Sequence, residues 1–211
     1  YIYISSNFKN YTMSELKNKI VILGDSGVGK TSLISQWIKG QFNDNQSPTI
    51  GAGYYEKIVQ FKNQEQKVQI WDTAGEERFQ AMAPIYSQGS LGALIVFDLT
   101  RADTMKHIPD WVKCLQLNGS IPIVIAGNKS DLEDQRQVST DDALEYTSDL
   151  GYQYIETCAN SGSGVDEVFT QIVNLAFEYK ETVKNSQGEE QENKVVDPTS
   201  DQNTSGRRYC C

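Results

Sequence analysis

Residues 24–31 read Gly24-Asp25-Ser26-Gly27-Val28-Gly29-Lys30-Thr31, a G-x-x-x-x-G-K-[ST] run. Its flanks make it more than a glycine-rich turn. Ahead of it Lys19–Leu23 (KIVIL) is a continuous apolar run, the pattern of a buried strand. Behind it Leu33, Ile34, Trp37 and Ile38 share one face of a helix over 31–39. The glycines let the backbone curl so that successive N–H groups point at one anion, and the helix start adds its positive dipole end. Ser26, Gly27, Val28 and Gly29 supply the cradle. Lys30 is placed to reach the β- and γ-phosphates of a nucleotide, and the Thr31 hydroxyl to ligate Mg²⁺. The run by itself does not separate adenine from guanine.

The rest of the chain alternates strand and helix patterns. Extended runs at 55–61 and 68–72, joined by the polar stretch KNQEQ, predict a hairpin. The apolar runs at 91–98 and 121–128 read as central parallel strands buried on two faces. Helical spacing covers 104–117, 140–150 and 165–179, and a last strand fits 152–156. This order predicts an α/β fold: a mostly parallel six-stranded sheet with one antiparallel edge strand and helices on both faces. In such sheets ligands lie beyond the carboxyl ends of the strands, and every chemical motif here follows a strand.

Asn128-Lys129-Ser130-Asp131 follows one of those central strands. A carboxylate such as Asp131 can accept from both the ring N1–H and the exocyclic amine of guanine, a donor pair that adenine lacks. Asn128 can tie this loop to the phosphate loop, and the Lys129 stem can cover the base. A net charge of −9 and the lack of a Lys/Arg cluster exclude nucleic acid as the main partner. Two of the four cysteines, Cys210 and Cys211, end the chain, and the internal pair has no metal-ligand spacing. That reads as a reduced, intracellular chain. No apolar run reaches membrane-spanning length. The one histidine, His107, has no partner motif and is expected at the surface without a catalytic role. Residues 1–13, ahead of and including Met13, read as a disordered extension, and their Asn10-Tyr11-Thr12 sequon as a chance match. Beyond residue 180 the periodicity stops, so 181–211 are expected to be a flexible tether after a folded domain over 14–180.

The ordered set GDSGVGKT (24–31), PTIG (48–51), WDTAGEERF (71–79), NKSD (128–131) and ETCAN (156–160), with the terminal Cys-Cys, resembles the Rab family of Ras-like small GTPases. The resemblance covers residues 16–179 and implies a P-loop NTPase fold, a GTP/GDP switch and intracellular vesicle trafficking. It implies that Thr49 joins Mg²⁺ and meets the γ-phosphate, that Asp72 holds Mg²⁺ through water, and that the Gly75 N–H contacts the γ-phosphate. Phe42 packs edge-on against guanine, and within Cys158-Ala159-Asn160 the Ala159 N–H meets the guanine carbonyl. Tyr54 and Tyr55 are unusual in aromatic content; at least one is expected to pack within a strand, and either could anchor a partner. The implied partners are an exchange factor, a GTPase-activating protein, a GDP-dissociation inhibitor or escort protein, and effectors docking on 49–61 and 71–86. Cys210 and Cys211 resemble a double geranylgeranyl site, with two chains giving durable anchoring. A monomer is expected, cytoplasmic and cycling onto the cytosolic face of endomembranes.

Glu76 departs from the family, which usually carries Gln there to orient the attacking water. An ionised Glu only accepts hydrogen bonds and brings negative charge toward the γ-phosphate. A Glu could instead serve as a base and help, so the residue type leaves the sign open. Altered hydrolysis is expected, with slowing the leading case, and the alternative function is a GTP-binding scaffold with very slow turnover. Asn160 stands where the family has Lys, which removes packing over the base. A P-loop kinase using ATP is disfavoured by the NKSD loop.

Overall fold

The computed structural model describes residues 18–75, 83–117 and 119–192. Its strands are β1 Lys19–Leu23, β2 Ala52–Phe61, β3 Gln64–Thr73, β4 Gly92–Asp98, β5 Ile123–Asn128 and β6 Gln153–Thr157. Its helices are α1 Lys30–Lys39, α2 Ala83–Ser87, α3 Ala102–Lys106, α4 Ile108–Gln116, α5 Thr140–Asp149 and α6 Val165–Glu192, with a 3-10 turn at Glu133–Gln135. The six strands form one sheet in the order β2-β3-β1-β4-β5-β6. All pairings are parallel except β2 with β3, as the sequence predicts.

Period-two alternation splits each central strand between two cores. Ile20 and Ile22 of β1 join Leu33, Ile34 and Trp37 of α1 and Phe169 and Ile172 of α6 on one face. Val21 and Leu23 face the other way, onto Trp111, Val112 and Leu115 of α4. Every residue of β1, β4 and β5 is buried, which is why these strands read as unbroken apolar runs. Trp37 and Phe169 stack with centroids 4.3 Å apart and clamp α1 to α6.

Three boundaries differ from the sequence reading. The hairpin turn is two residues long, Lys62 and Asn63, both left-handed (φ 49° and 62°), so Gln64 and its neighbours pair with β2. Such a turn matches strand twist, and polar residues on an edge hairpin carry no apolar signal of strand. The helix expected over 104–117 breaks at His107 into α3 and α4, because Pro109 cannot donate to the carbonyl four residues earlier and its ring crowds it. Finally α6 continues to Glu192, past the boundary expected at 180. Val183 still packs on the core, Lys180 donates to Asn18 Oδ1 at 2.6 Å, and Glu181 pairs with Lys62. The expected extension over 1–13 and the tether beyond residue 192 lie outside the described residues.

Phe169→Ala leaves a cavity beneath Trp37 and is expected to cost about 3–5 kcal/mol of stability, read as a lower urea midpoint of the nucleotide-loaded protein.

Candidate functional site

One cleft of about 410 Å³ opens where the carboxyl ends of β1, β3, β5 and β6 meet. Ser26, Gly27, Gly29, Lys30, Thr31, Phe42, Thr49, Gly75, Asn128, Lys129, Asp131, Ala159 and Asn160 all line it. Lys30 and Asp131, proposed for opposite ends of one nucleotide, thus share a single cavity. Val28, Asp72 and Cys158 lie behind its wall: all three are buried, and the Cys158 sulfur accepts the Ser161 N–H. Glu76, Cys210 and Cys211 lie outside the described residues.

The phosphate loop is shaped by what surrounds it. Gly29 precedes α1 at φ 98°, and a Cβ there would sit 2.2 Å from Asn128 Nδ2. Gly75 is equally confined, since a Cβ would meet the Asp25 carbonyl carbon at 2.3 Å. Lys30 folds its ammonium over the loop and donates to the Gly24 and Asp25 carbonyls, each at 2.7 Å. Burial pulls its pKa down to about 8, against the opposing pull of Asp72 and Asp25.

Beside it Thr31 Oγ1 donates to Asp72 Oδ2 at 2.6 Å and lies 2.7 Å from Thr49 Oγ1. Burial raises the Asp72 pKa, with the Thr31 hydrogen bond and the Lys30 charge opposing it. The other carboxylate oxygen, Oδ1, is buried and has no hydrogen-bond partner among the described residues. An orphaned carboxylate oxygen beside two hydroxyls fits a hard cation. No three His, Cys, Asp or Glu side chains gather as a metal cage among the described residues. The donor set therefore suits Mg²⁺, which keeps waters and shares its shell with phosphates, rather than a metal needing a full protein cage.

At the base end Asn128 is 1% exposed and joins three segments. Its Nδ2 donates to the Val28 carbonyl at 2.8 Å, while Oδ1 accepts from Thr157 Oγ1 and the Ala159 N–H, both at 3.3 Å. The expected tie to the phosphate loop is present. The Ala159 N–H, expected to meet a guanine carbonyl, is engaged by Asn128, so that contact requires a long bond to be shared. Lys129, left-handed at φ 68°, places Nζ 2.6 Å from Asp98 Oδ2. Burial pushes the Asp98 carboxyl up, but hydrogen bonds from Lys129 and Thr100 win and hold it below the usual range. Asp131 is exposed at the rim, opposite Phe42.

Four contributors carry no local sequence signal. Arg101 bridges Asp98 (3.2 Å) to the Ser26 carbonyl (2.9 Å). His107 and Trp111 both reach Asp25, at 2.6 Å and 2.9 Å, so the histidine has a partner that no sequence motif announces. Arg136 chelates both Glu156 oxygens, at 3.1 Å and 3.0 Å, and pins the strand that leads into the base loop.

The model of the Ras family matches residues 19–178. Ras-related protein Rab-22A of Mus musculus is 43% identical over 156 residues, 73% of this chain and 80% of that protein. Ras-related protein Rab-31 of Rattus norvegicus is 44% identical over 156 residues, with the same coverage. Ras-related protein Rab5 of Nicotiana tabacum is 40% identical over 161 residues, 75% of this chain and 80% of that protein. The chain belongs to the Rab family of Ras-like small GTPases. In this small GTPase the motif residues follow the strands of a six-stranded sheet with the expected single antiparallel edge, and Arg101 and His107 add ties from outside the motifs.

The depressed Lys30 pKa has a signed consequence. Without a ligand Lys30 loses its proton around pH 8, below the ordinary 10.5, whereas a phosphate beside it restores the charge. Net proton uptake on GDP binding is therefore expected to increase from pH 7 to pH 9, measured by calorimetry in buffers of different ionisation enthalpy.

Proposed function

We propose that this small GTPase binds GTP and GDP with Mg²⁺, hydrolyses GTP to GDP, and recruits effectors on vesicle or endomembrane surfaces while GTP is bound. The observation that carries the reading is the convergence of a phosphate cradle after β1 and a carboxylate after β5 on one cleft. Lys30 and the α1 N-terminus neutralise phosphate charge, and Asp131 selects guanine. Thr31, Thr49 and Asp72 would hold Mg²⁺, which when bound offsets charge on the β- and γ-phosphates. Gly75 brings its N–H up to the γ-phosphate because it has no side chain to keep it away.

Two segments would report the γ-phosphate. Thr49 belongs to one and Gly75 to the other, and the Ala74 N–H donates to the Gly51 carbonyl at 2.8 Å, so they are stitched together. Ile50, Tyr54, Ile58 and Ile85 are exposed, and Tyr54 stands edge-on to Trp71 at 5.9 Å. Tyr55, next along, turns inward against the core. Exposed apolar side chains of this kind, at Ile50, Tyr54, Ile58 and Ile85, suit effectors, an exchange factor and a GTPase-activating protein docking on 49–61 and 71–86. Prenyl groups on Cys210 and Cys211, handled by a GDP-dissociation inhibitor or escort protein, would anchor a monomer cycling between cytosol and membrane. No helix among the described residues is long and apolar enough to cross a membrane.

The reading in which turnover is too slow to matter rests on Glu76 alone, and no observation favours it. Glu76→Gln is expected to speed single-turnover GTP hydrolysis; equal rates would remove the side chain from the mechanism. Competition binding is expected to favour GDP over ADP strongly. Asp131→Ala, which removes charge-assisted hydrogen bonds, is expected to weaken GDP binding at least about tenfold while leaving ADP binding unchanged. A wild-type protein that bound ADP as well as GDP would refute the assignment.

A further inference from the structure

The phosphate loop is held from outside by the segment that follows β4, and the holding point is Asp25. His107 Nδ1 lies 2.6 Å from Asp25 Oδ2, and Trp111 Nε1 donates to Oδ1 at 2.9 Å, so both carboxylate oxygens are taken. The backbone carbonyl of the same residue accepts the Lys30 ammonium at 2.7 Å. One residue later Arg101 holds the Ser26 carbonyl. Asp25 thus links the charge that meets the phosphates to a histidine at the break between α3 and α4. Sequence motifs assign its side chain no task, since the position is one of the variable x residues of the run.

We propose that His107 is a positioning residue for nucleotide retention: its imidazolium, paired with Asp25, holds the phosphate loop closed on the ligand, and loss of its proton loosens that hold. This rests on reading the cleft as a guanine-nucleotide site. The Trp111 indole has no titratable proton and supplies a second tether to the same carboxylate. The His107 bond does titrate, and its side chain is 44% exposed, so protons exchange freely with solvent. Among the described residues the charged groups facing the ring are all carboxylates: Asp25 of the phosphate loop, Asp103 of α3 and Asp110 of α4. The Asp25 hydrogen bond is the largest influence and holds the imidazole pKa above its ordinary 6.5, with partial burial opposing. Because the folded value lies above the unfolded one, the charge contribution to the tie is at full strength below pH 6.5 and is lost as pH rises through the folded value. A neutral ring can still donate from Nδ1, so deprotonation weakens the contact rather than breaking it.

His107 is the chain's single histidine, so proton NMR of the full GDP-loaded protein shows one titrating imidazole. Its midpoint is expected above 6.5 and is expected to fall in Asp25→Asn. Release of a fluorescent GDP analogue, followed from pH 6 to 8.5, is expected to accelerate about two- to five-fold in wild type, the scale that a partly screened ion pair supports. His107→Gln should remove that pH dependence at the fast limit, and His107→Arg, charged throughout, should remove it at the slow limit. Superimposable profiles for wild type and His107→Gln, or a midpoint unmoved by Asp25→Asn, would overturn the inference. A protein that retained no guanine nucleotide would overturn the functional reading instead, and the imidazole titration would still decide the His107–Asp25 pair.

Discussion

The side-chain amide of Asn128 is the point on which the two halves of the site depend. It donates to the Val28 carbonyl in the phosphate loop and accepts from Thr157 and Ala159 in the base loop, at the end of the strand that carries both. An amide suits the position because it has donors and acceptors without charge, and full burial would penalise a charged group heavily. Losing it would take this partner from the Val28 carbonyl and the Ala159 N–H, at about 1–3 kcal/mol for each group left unpaired, and leave the Thr157 hydroxyl with the Gly127 carbonyl at 3.4 Å. The same amide explains Gly29, since any side chain there would collide with it. The last glycine of the phosphate loop and the first residue of the base loop therefore answer one steric and hydrogen-bonding constraint.

Around that tie the site keeps two buried ionisable groups away from their comfortable states. Burial drives Lys30 toward its neutral form and Asp72 toward its protonated one, in opposite directions and within one cavity wall. A ligand carrying phosphate and a divalent cation relieves both at once: phosphate for the ammonium, metal for the orphaned Asp72 oxygen. Neither half alone would do so. On the proposed reading this arrangement would couple nucleotide to Mg²⁺ and would offset the repulsion of an anionic ligand by a protein of net charge −9.

Much of this was legible in the sequence because it is local. The phosphate loop announces itself through glycine spacing between an apolar run and an amphipathic helix, and Lys19–Leu23 falls where the apolar run does. The base loop follows β5, and Tyr54 and Tyr55 divide between solvent and core as alternation requires. What escaped was long-range or polar. Asp25 meets Trp111 across 86 positions and His107 across 82, and no periodicity encodes such pairings. The turn end of the hairpin escaped because Gln64, Glu65 and Gln66 are polar and supply no apolar alternation, although their backbones pair with β2. The extra length of α6 escaped because its later residues, ETVKNSQGEEQE, carry almost no apolar period and include weak helix formers such as Asn185, Ser186 and Gly188.

The bond from the Ala74 N–H to the Gly51 carbonyl makes neighbours of two stretches that are far apart in the chain. Ile50, the residue just before that carbonyl, projects into solvent with 89% of its surface free. A small environment-sensitive dye attached there would lie outside the residues lining the cleft, yet one peptide unit from the bond that ties Gly51 to the segment carrying Gly75. Position 50 is thus a natural mounting point for an optical reporter of which nucleotide the protein carries.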